Sequence, residues 1–170
     1  SWTILPGGHI YAQEQFELPI QKAFSPLPIS SMANVSVEEN EQKLTISGLD
    51  MQVELDKAKG IIVSWKLKNK ELLKEGLIPE FWRAPTDNDF GNNHQLRCRV
   101  WREAGQNAVA ESFEWAMVDD QKAVVKVDLK IPGKNAEKIA LMKLKYTILG
   151  SGDIQVDYTF TKVSEDLPEI

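Results

Sequence analysis

Hydrophobic and polar residues alternate along most of this chain with a period of two, which is typical of β-strands. Short polar or glycine-containing turns separate many of the alternating runs. The pattern predicts strands at residues 35–37, 44–46, 51–55, 61–67, 72–73, 113–117, 123–131, 140–148 and 154–160. Strands of this length joined by short connections indicate an all-β fold, an antiparallel β-sandwich.

One segment in the middle of the chain departs from the alternation. Its apolar residues occur at helical spacing, at Leu96, Val100, Trp101 and Ala104, and Gly105 follows as a typical C-terminal cap. Asn92 or Asn93 can cap the start. We therefore expect one short helix over about residues 93–104, inserted between strands.

The first thirty residues predict a domain boundary. Ile10, Ala12, Phe16 and Leu18 alternate as in a single strand. Prolines at 19, 26 and 28 then interrupt the pattern, and prolines lack a backbone donor and fix φ, so an extended linker follows. We assign residues 1–20 to the end of a preceding domain, 21–32 to the linker and 33–170 to the main domain, and we expect both chain ends to be boundaries within a longer protein.

Composition excludes several classes of partner. The chain has 170 residues, of which 42% are hydrophobic and 26% charged, as in ordinary globular domains. Its formal net charge of −5 argues against nucleic acid and anionic membranes as partners. Neither a signal peptide nor a membrane-length apolar run is predicted. Cys98 is the only cysteine, so the chain cannot form an internal disulfide, and a cytoplasmic or periplasmic location stays open.

Residues 81–93 concentrate the candidate chemistry, with two aromatic rings, an arginine, carboxylates and amides. Asp87 and Asp89 could be a general acid and base, although such pairs usually come from different elements. They could begin a calcium loop, but the expected glycine and bidentate glutamate positions do not match. The favoured interpretation from the residues is a structural loop in which Arg83 bonds both aspartates, and a ligand-contacting loop is the remaining alternative.

Other candidates are weaker. No histidine lies at a spacing from Cys98 that is typical of a cysteine nucleophile. Cys98 is therefore interpreted as a packed thiol. His9 is expected at the surface, and contact of His94 with a ligand is a minor alternative. Trp82 adjoins the polar loop, where a sugar could stack on its ring.

The sequence from Arg83 to Gly91, Arg-Ala-Pro-Thr-Asp-Asn-Asp-Phe-Gly, closely resembles a signature in the C-terminal domain of family 2 β-galactosidases. Flanking features agree with this resemblance: Gly8-His9-Ile10 resembles the last strand of the immunoglobulin-like domain that precedes it there, and Trp101 to Gly105 resembles a helix end that follows it. The resemblance covers nearly all of the chain.

The resemblance implies a galactose-mutarotase-like β-supersandwich of which this chain holds the first half. It implies that the parent glycosidase hydrolyses terminal β-D-galactosides with retention, using glutamates of a barrel that this chain lacks, so no catalytic residue and no metal ligand is assigned here. The family's Mg and Na ions are expected elsewhere. Arg83, Asp87, Asn88 and Asp89 are expected to form the signature loop, and Gly91, Asn92, Asn93 and His94 a mobile loop near the active site.

These observations lead to a non-catalytic scaffold that delivers a loop to a β-galactosidase active site. Its expected partners are the rest of the enzyme, the galactoside in the parent active site and a second copy of the chain in a homo-oligomer. A carbohydrate-binding β-sandwich module that acts alone is the alternative, with Trp82 as its platform. A purely structural or interaction domain is the third possibility.

Overall fold

The computed structural model describes Ile10, residues 12–16, Ser25 and residues 27–170. Nearly all regular structure is antiparallel β, arranged as two sheets, which confirms the all-β sandwich class. None of the helices in these residues has the length and apolar character needed to cross a bilayer.

The first sheet contains five strands in sequence order, each antiparallel to the next. Strand β3 faces β4 across a register shift between Glu54 and Leu55, where the ladder bulges. The bounds are β1 (Ser36–Glu39), β2 (Lys43–Ser47), β3 (Met51–Asp56), β4 (Ile61–Leu67) and β5 (Lys70–Glu71).

The second sheet contains four longer strands, again in sequence order and antiparallel. Strands β7 and β8 occupy its centre, and β6 and β9 are its edges. The bounds are β6 (Val109–Asp119), β7 (Lys122–Pro132), β8 (Lys138–Leu149) and β9 (Ile154–Lys162).

The core lies between the sheets, on the faces that the alternation predicts. Alternate residues of β2, β3 and β7 are buried while their neighbours are partly or fully exposed. The fully buried side chains belong to one cluster that spans both sheets, including Leu44, Ile46, Val53, Leu55, Val125, Val127, Leu129, Ile131 and Ile148. Burial of such side chains contributes about 1.5–3 kcal/mol each, so this cluster dominates the stability of the fold.

Contacts at Gly60 show how closely the two sheets approach. Gly60 has φ of +66°, and a side chain there would collide with Val127 and Leu129 of the opposite sheet. Tyr146 donates a hydrogen bond of 3.3 Å from its hydroxyl to the Gly60 carbonyl. Glycine is therefore required at this position both for its backbone conformation and for the space.

The structure corrects the predicted helix over 93–104. Two short α-helices are present instead, α1 (Asp87–Gly91) and α2 (His94–Arg97), followed by a 3-10 turn at Arg99–Trp101. The signature loop was predicted as irregular, but its second half forms α1. Asn93 has φ of 59° in the left-handed region, which breaks the continuous helix that the spacing suggested.

The turn after β4 also differs from the prediction. Its central residues are Lys68 and Asn69, with φ of 49° and 63°. Two successive left-handed residues are typical of a tight hairpin turn. As a result β5 begins at Lys70, and the strand predicted at 72–73 lies outside the sheet.

The described residues include only part of the predicted N-terminal strand. Ile10 and residues 12–16 belong to no strand, and the side chains of both Ile10 and Phe16 are exposed. The rest of that strand, and residues 21–24 and 26 of the predicted linker, lie outside the described residues. The three-part domain division therefore stays a prediction.

Candidate functional site

The first turn of α1 is fixed by a reciprocal capping arrangement. Thr86 precedes the helix, and its backbone N–H donates to Oδ2 of Asp89 at 2.6 Å, while its hydroxyl bonds the same oxygen at 2.9 Å. The Thr86 side chain in turn accepts from the backbone of Asp89. A threonine followed three residues later by a carboxylate is a capping box, so the sequence itself specifies where α1 begins.

Arg83 completes this arrangement with a two-point contact. Its Nη1 donates to Oδ2 of Asp89 at 2.5 Å and its Nη2 to Oδ1 at 2.8 Å. Hydrogen bonds from Arg83 first, and then from the Thr86 backbone, hold the pKa of the Asp89 carboxyl well below its usual range. Asp89 is the only buried charged side chain in the described part of the chain, and the fork geometry of arginine explains how its charge is accommodated there.

Asp87 does not share this pairing. The prediction that Arg83 bonds both aspartates is therefore wrong for Asp87, since the described contacts of Arg83 reach only Asp89 and the Ala84 carbonyl. Asp89 has both oxygens engaged and stays ionised at neutral pH, which leaves it unsuited to donate a proton. The acid/base pair proposed for Asp87 and Asp89 consequently gains no support.

Polar side chains on the outer side of this motif remain open to solvent. Asp87 and Asn88 are exposed on α1, and Asn92 and Asn93 are exposed in the turn to α2. A side chain added at Gly91 would meet no atom within 4 Å. The motif thus presents one carboxylate and three amides on a short helical frame.

Trp82 and His94 lie against each other. Their ring centroids are 5.5 Å apart with an interplanar angle of 27°, a stacked arrangement, and both residues are half-buried. One face of the Trp82 ring is therefore occupied by His94. A sugar could stack only on the exposed part of the opposite face of the Trp82 ring.

An aromatic cluster anchors the irregular segment that leads into the site. The ring of Phe81 lies 5.2 Å from that of Phe160 on β9 and 6.2 Å from that of Trp101. Gly105 packs so closely on the Pro79 carbonyl that a side chain there would collide with it. These contacts fix residues 79–82 against the second sheet and so position Arg83.

Residues near the end of the chain reach the same region, which the sequence reasoning missed. The buried Trp101 donates from Nε1 to the Pro168 carbonyl at 3.2 Å, and Arg97 pairs with Glu169 at 2.5 Å. As a result His94, Cys98 and Glu169 place one potential ligand atom each within 4.8 Å of one another. The four-residue spacing of His94 and Cys98 is the one sequence signal for this group of side chains. Nothing in the sequence indicates that Glu169 joins them.

The comparisons with known proteins find similarity to β-galactosidases. The family model described as β-galactosidase small chain matches residues 47–170. The chain is 33% identical over 163 residues to a β-galactosidase of Priestia megaterium, covering 96% of this chain and 15% of that protein. For β-galactosidases of Clostridium acetobutylicum and Psychromonas ingrahamii the identities are 30% over 172 residues and 28% over 180, covering 95% and 96% of this chain and 18% and 17% of those proteins.

The similarity to these relatives extends over nearly the full length of this chain. The chain itself spans less than a fifth of the length of each relative. The family match covers all nine strands except β1 and most of β2, and it includes the Arg83–Asp89 pair and both short helices. This chain belongs to the β-galactosidase small chain family.

Proposed function

We propose that this chain is a non-catalytic part of a family 2 β-galactosidase that hydrolyses terminal β-D-galactosides. Its role is to hold the α1–α2 segment, residues 87–97, beside the active site of the parent enzyme. The observation that carries this proposal is the contrast within that segment. Asp89 is buried and tied to Arg83 and Thr86, while Asp87 and Asn88 beside it are exposed.

Such an arrangement suits a positioning role. The ion pair between the exposed Arg83 and the buried Asp89, together with the capping box, determines where α1 begins and how it is oriented. The exposed side chains of α1 therefore have a defined position relative to the sandwich. Carboxylate and amide groups are those that bind sugar hydroxyls in polar sites. Asp87 and Asn88 are therefore the residues we expect to meet the substrate or the loop that covers it.

We assign the chemical steps to the remainder of the parent protein. A retaining glycosidase uses two carboxyl groups about 5–5.5 Å apart, one of them able to hold a proton. Asp89 is fixed as an ion-paired carboxylate, so the signature supplies one available carboxylate, that of Asp87, and no partner beside it. The isolated chain is accordingly expected to be inactive.

The turn between the helices is the proposed mobile element. Gly91 has open space around it, and Asn92 and Asn93 are exposed, so few contacts oppose a change of backbone conformation there. His94 at the start of α2 stacks on Trp82 and would limit the movement to the turn. Motion of this kind would open and close access to the parent active site.

Strand β9 is the proposed contact with the rest of the parent chain. Val156 and Tyr158 face the same side as the buried Tyr146 and Leu144 of β8, yet they are 46% and 68% exposed. An uncovered apolar face on an edge strand favours association with another surface. In the parent enzyme that surface would be adjoining protein, and alone the chain would form a homo-oligomer, which light scattering can detect as a concentration-dependent mass above 19.2 kDa.

The proposal can be tested in the full-length parent β-galactosidase that carries this segment. Asp87→Ala and Asn88→Ala should each lower kcat/KM for a chromogenic galactoside by about tenfold, the loss typical of a misplaced or missing substrate contact. Asp120→Ala, an exposed aspartate in the β6–β7 turn, is the matched control and should leave the rate unchanged. Equal rates for all three variants and the unaltered enzyme would refute the positioning role.

The alternative of a sugar-binding module has less support, since its proposed platform, Trp82, is half-buried and has His94 on one face. Calorimetric titration of the isolated chain with galactose or lactose distinguishes the two functions. Saturable binding abolished by a Trp82 substitution would favour the module.

A further inference from the structure

Three side chains of different chemistry converge beside α2, and the proposed function uses only one of them, His94, as a packing partner of Trp82. His94 is half-buried, Cys98 is buried and Glu169 is exposed. One nitrogen, the sulfur and one carboxylate oxygen all lie within 4.8 Å of one another. An imidazole, a thiol and a carboxylate at this separation constitute a potential set of metal ligands.

The fold brings these groups together through identifiable contacts. His94 and Cys98 are four residues apart, which places them on the same face of one helical turn, and the Cys98 N–H donates to the His94 carbonyl at 2.9 Å. Glu169 comes from the far end of the chain. Its position depends on the bond from Trp101 to the Pro168 carbonyl and on its own ion pair with Arg97.

The donor set favours zinc among the common divalent ions. Thiolate and imidazole are softer ligands than the oxygens that Mg²⁺ and Ca²⁺ prefer, and zinc accepts one of each together with a carboxylate. Bonds of about 2.0–2.3 Å in a tetrahedron place ligand atoms about 3.5 Å apart, so the side chains must approach by about an ångström. Rotation of the exposed Glu169 side chain can supply much of this movement.

Neighbouring residues could orient the ligands. Trp82 stacks on the His94 ring and restricts its rotation. Arg97 bonds Oε1 of Glu169, and a carboxylate has a second oxygen that can bind a cation while the first retains its arginine. Contacts of this type orient metal ligands in known sites. Arg97 thus has two opposing effects: it orients Glu169, and its positive charge repels a nearby cation. Arg97→Gln, described below, removes both effects and keeps all three ligands.

We propose that His94, Cys98 and Glu169 form a three-ligand zinc site that joins α2 to the end of the described chain, with the fourth position open to water or to a group from another part of the protein. This differs from the expectation that the chain contributes no metal ligand. The site would act as a staple between two segments that are about seventy residues apart in sequence.

Metal titration of the whole 170-residue chain tests the site. Zinc affinity is measured by competition with a chromogenic chelator, and cobalt is added separately because a thiolate–cobalt bond has its own near-ultraviolet absorption. We expect one zinc per chain and the thiolate–cobalt band. Cys98→Ala should abolish that band and, like His94→Gln and Glu169→Gln, should lower zinc affinity about tenfold or more.

Two matched variants separate ligation from other effects. Glu165→Gln removes an exposed carboxylate four residues before Glu169 in sequence and should leave affinity unchanged. Arg97→Gln removes the ion pair but no ligand and should retain the cobalt band. Because Glu169 is exposed, Glu169→Gln keeps the fold even if Cys98→Ala does not, and circular dichroism checks both. Absence of zinc binding, or binding that survives both Cys98→Ala and Glu169→Gln, would overturn the proposal.

Discussion

The sandwich and the segment from residue 72 to 108 are stabilised in different ways. Between the sheets, many apolar side chains are buried together, and no single hydrogen bond determines the arrangement. Four residues of the segment also join this apolar cluster: Cys98, Trp101, Ala104 and Ala108. The polar part of the segment contains little regular structure, and a few directional contacts position it: the Arg83–Asp89 pair, the capping of α1 and the Trp101 bond to Pro168. We therefore expect a substitution in the shared core to change global stability, and one at the Arg83–Asp89 pair to change the local position of the polar residues.

The largest effect should come from the core. Leu129→Ala removes a fully buried side chain between the sheets and should lower the free energy of unfolding by about 2–5 kcal/mol. Leu49→Ala is the matched control, because Leu49 is 84% exposed in the β2–β3 turn, and it should change stability by less than about 0.5 kcal/mol. Urea titrations of both variants make the comparison, and similar losses for the two would contradict the assignment of the core.

A smaller effect is expected at Trp101. Trp101→Phe keeps most of the buried ring but removes the N–H that donates to the Pro168 carbonyl, leaving a partly buried acceptor unpaired, at a cost of about 1–3 kcal/mol. Trp115→Phe removes a comparable bond to Glu39, a carboxylate that water can reach, and should cost less. Thermal unfolding of the two variants measures the difference; a greater loss at Trp115 would argue against the anchoring of the chain end by Trp101.

The weakest effect should appear only in acid. Hydrogen bonds from the Ser64 hydroxyl and from the backbone of Trp65 and neighbouring residues lower the pKa of Glu71 to about 2. Because the pKa in the unfolded chain is higher, about 4.3, the stabilisation is present above that pH and is lost as the pH falls toward 2.

Glu71→Gln removes this titration, so the stability of the variant should fall less steeply with acid over the same interval. Glu75→Gln, at an exposed position nearby, is the control and should follow the unaltered protein. Denaturant midpoints measured at several pH values between about 5 and 2 test the prediction. Parallel curves for Glu71→Gln and the unaltered chain would show that Glu71 contributes nothing to the acid response.

Alternation was sufficient to predict the sandwich, since burial of one strand face requires apolar residues at every second position. It located the long strands β7 and β8 within a few residues and placed Val127 and Leu129 in the core. It failed at β5, where two left-handed residues, Lys68 and Asn69, set the register of a two-residue strand. Neither residue type demands that conformation, so the pattern carried no signal for it.

The site was less predictable, for a physical reason. The Arg83–Asp89 pair and the capping box are local and could be read from residues three and six apart in sequence. The break between α1 and α2 depends on the backbone of Asn93, and the contacts of Trp101 with Pro168 and of Arg97 with Glu169 join distant segments. Apolar spacing predicts a continuous helix because it contains no information on the backbone conformation of Asn93. For the same reason it does not indicate the long-range contacts.

Amide hydrogen exchange on the unaltered chain and on Asp89→Ala tests most directly whether the sandwich and the segment are separable. Removing Asp89 leaves Arg83 and the Thr86 N–H without their described partner, so exchange should accelerate over residues 86–97 while β7 and β8 keep their protection. Asp87→Ala should change neither region. Equal acceleration in the sheets, or unchanged exchange over residues 86–97, would contradict a rigid sandwich that holds its polar segment through the Arg83–Asp89 pair.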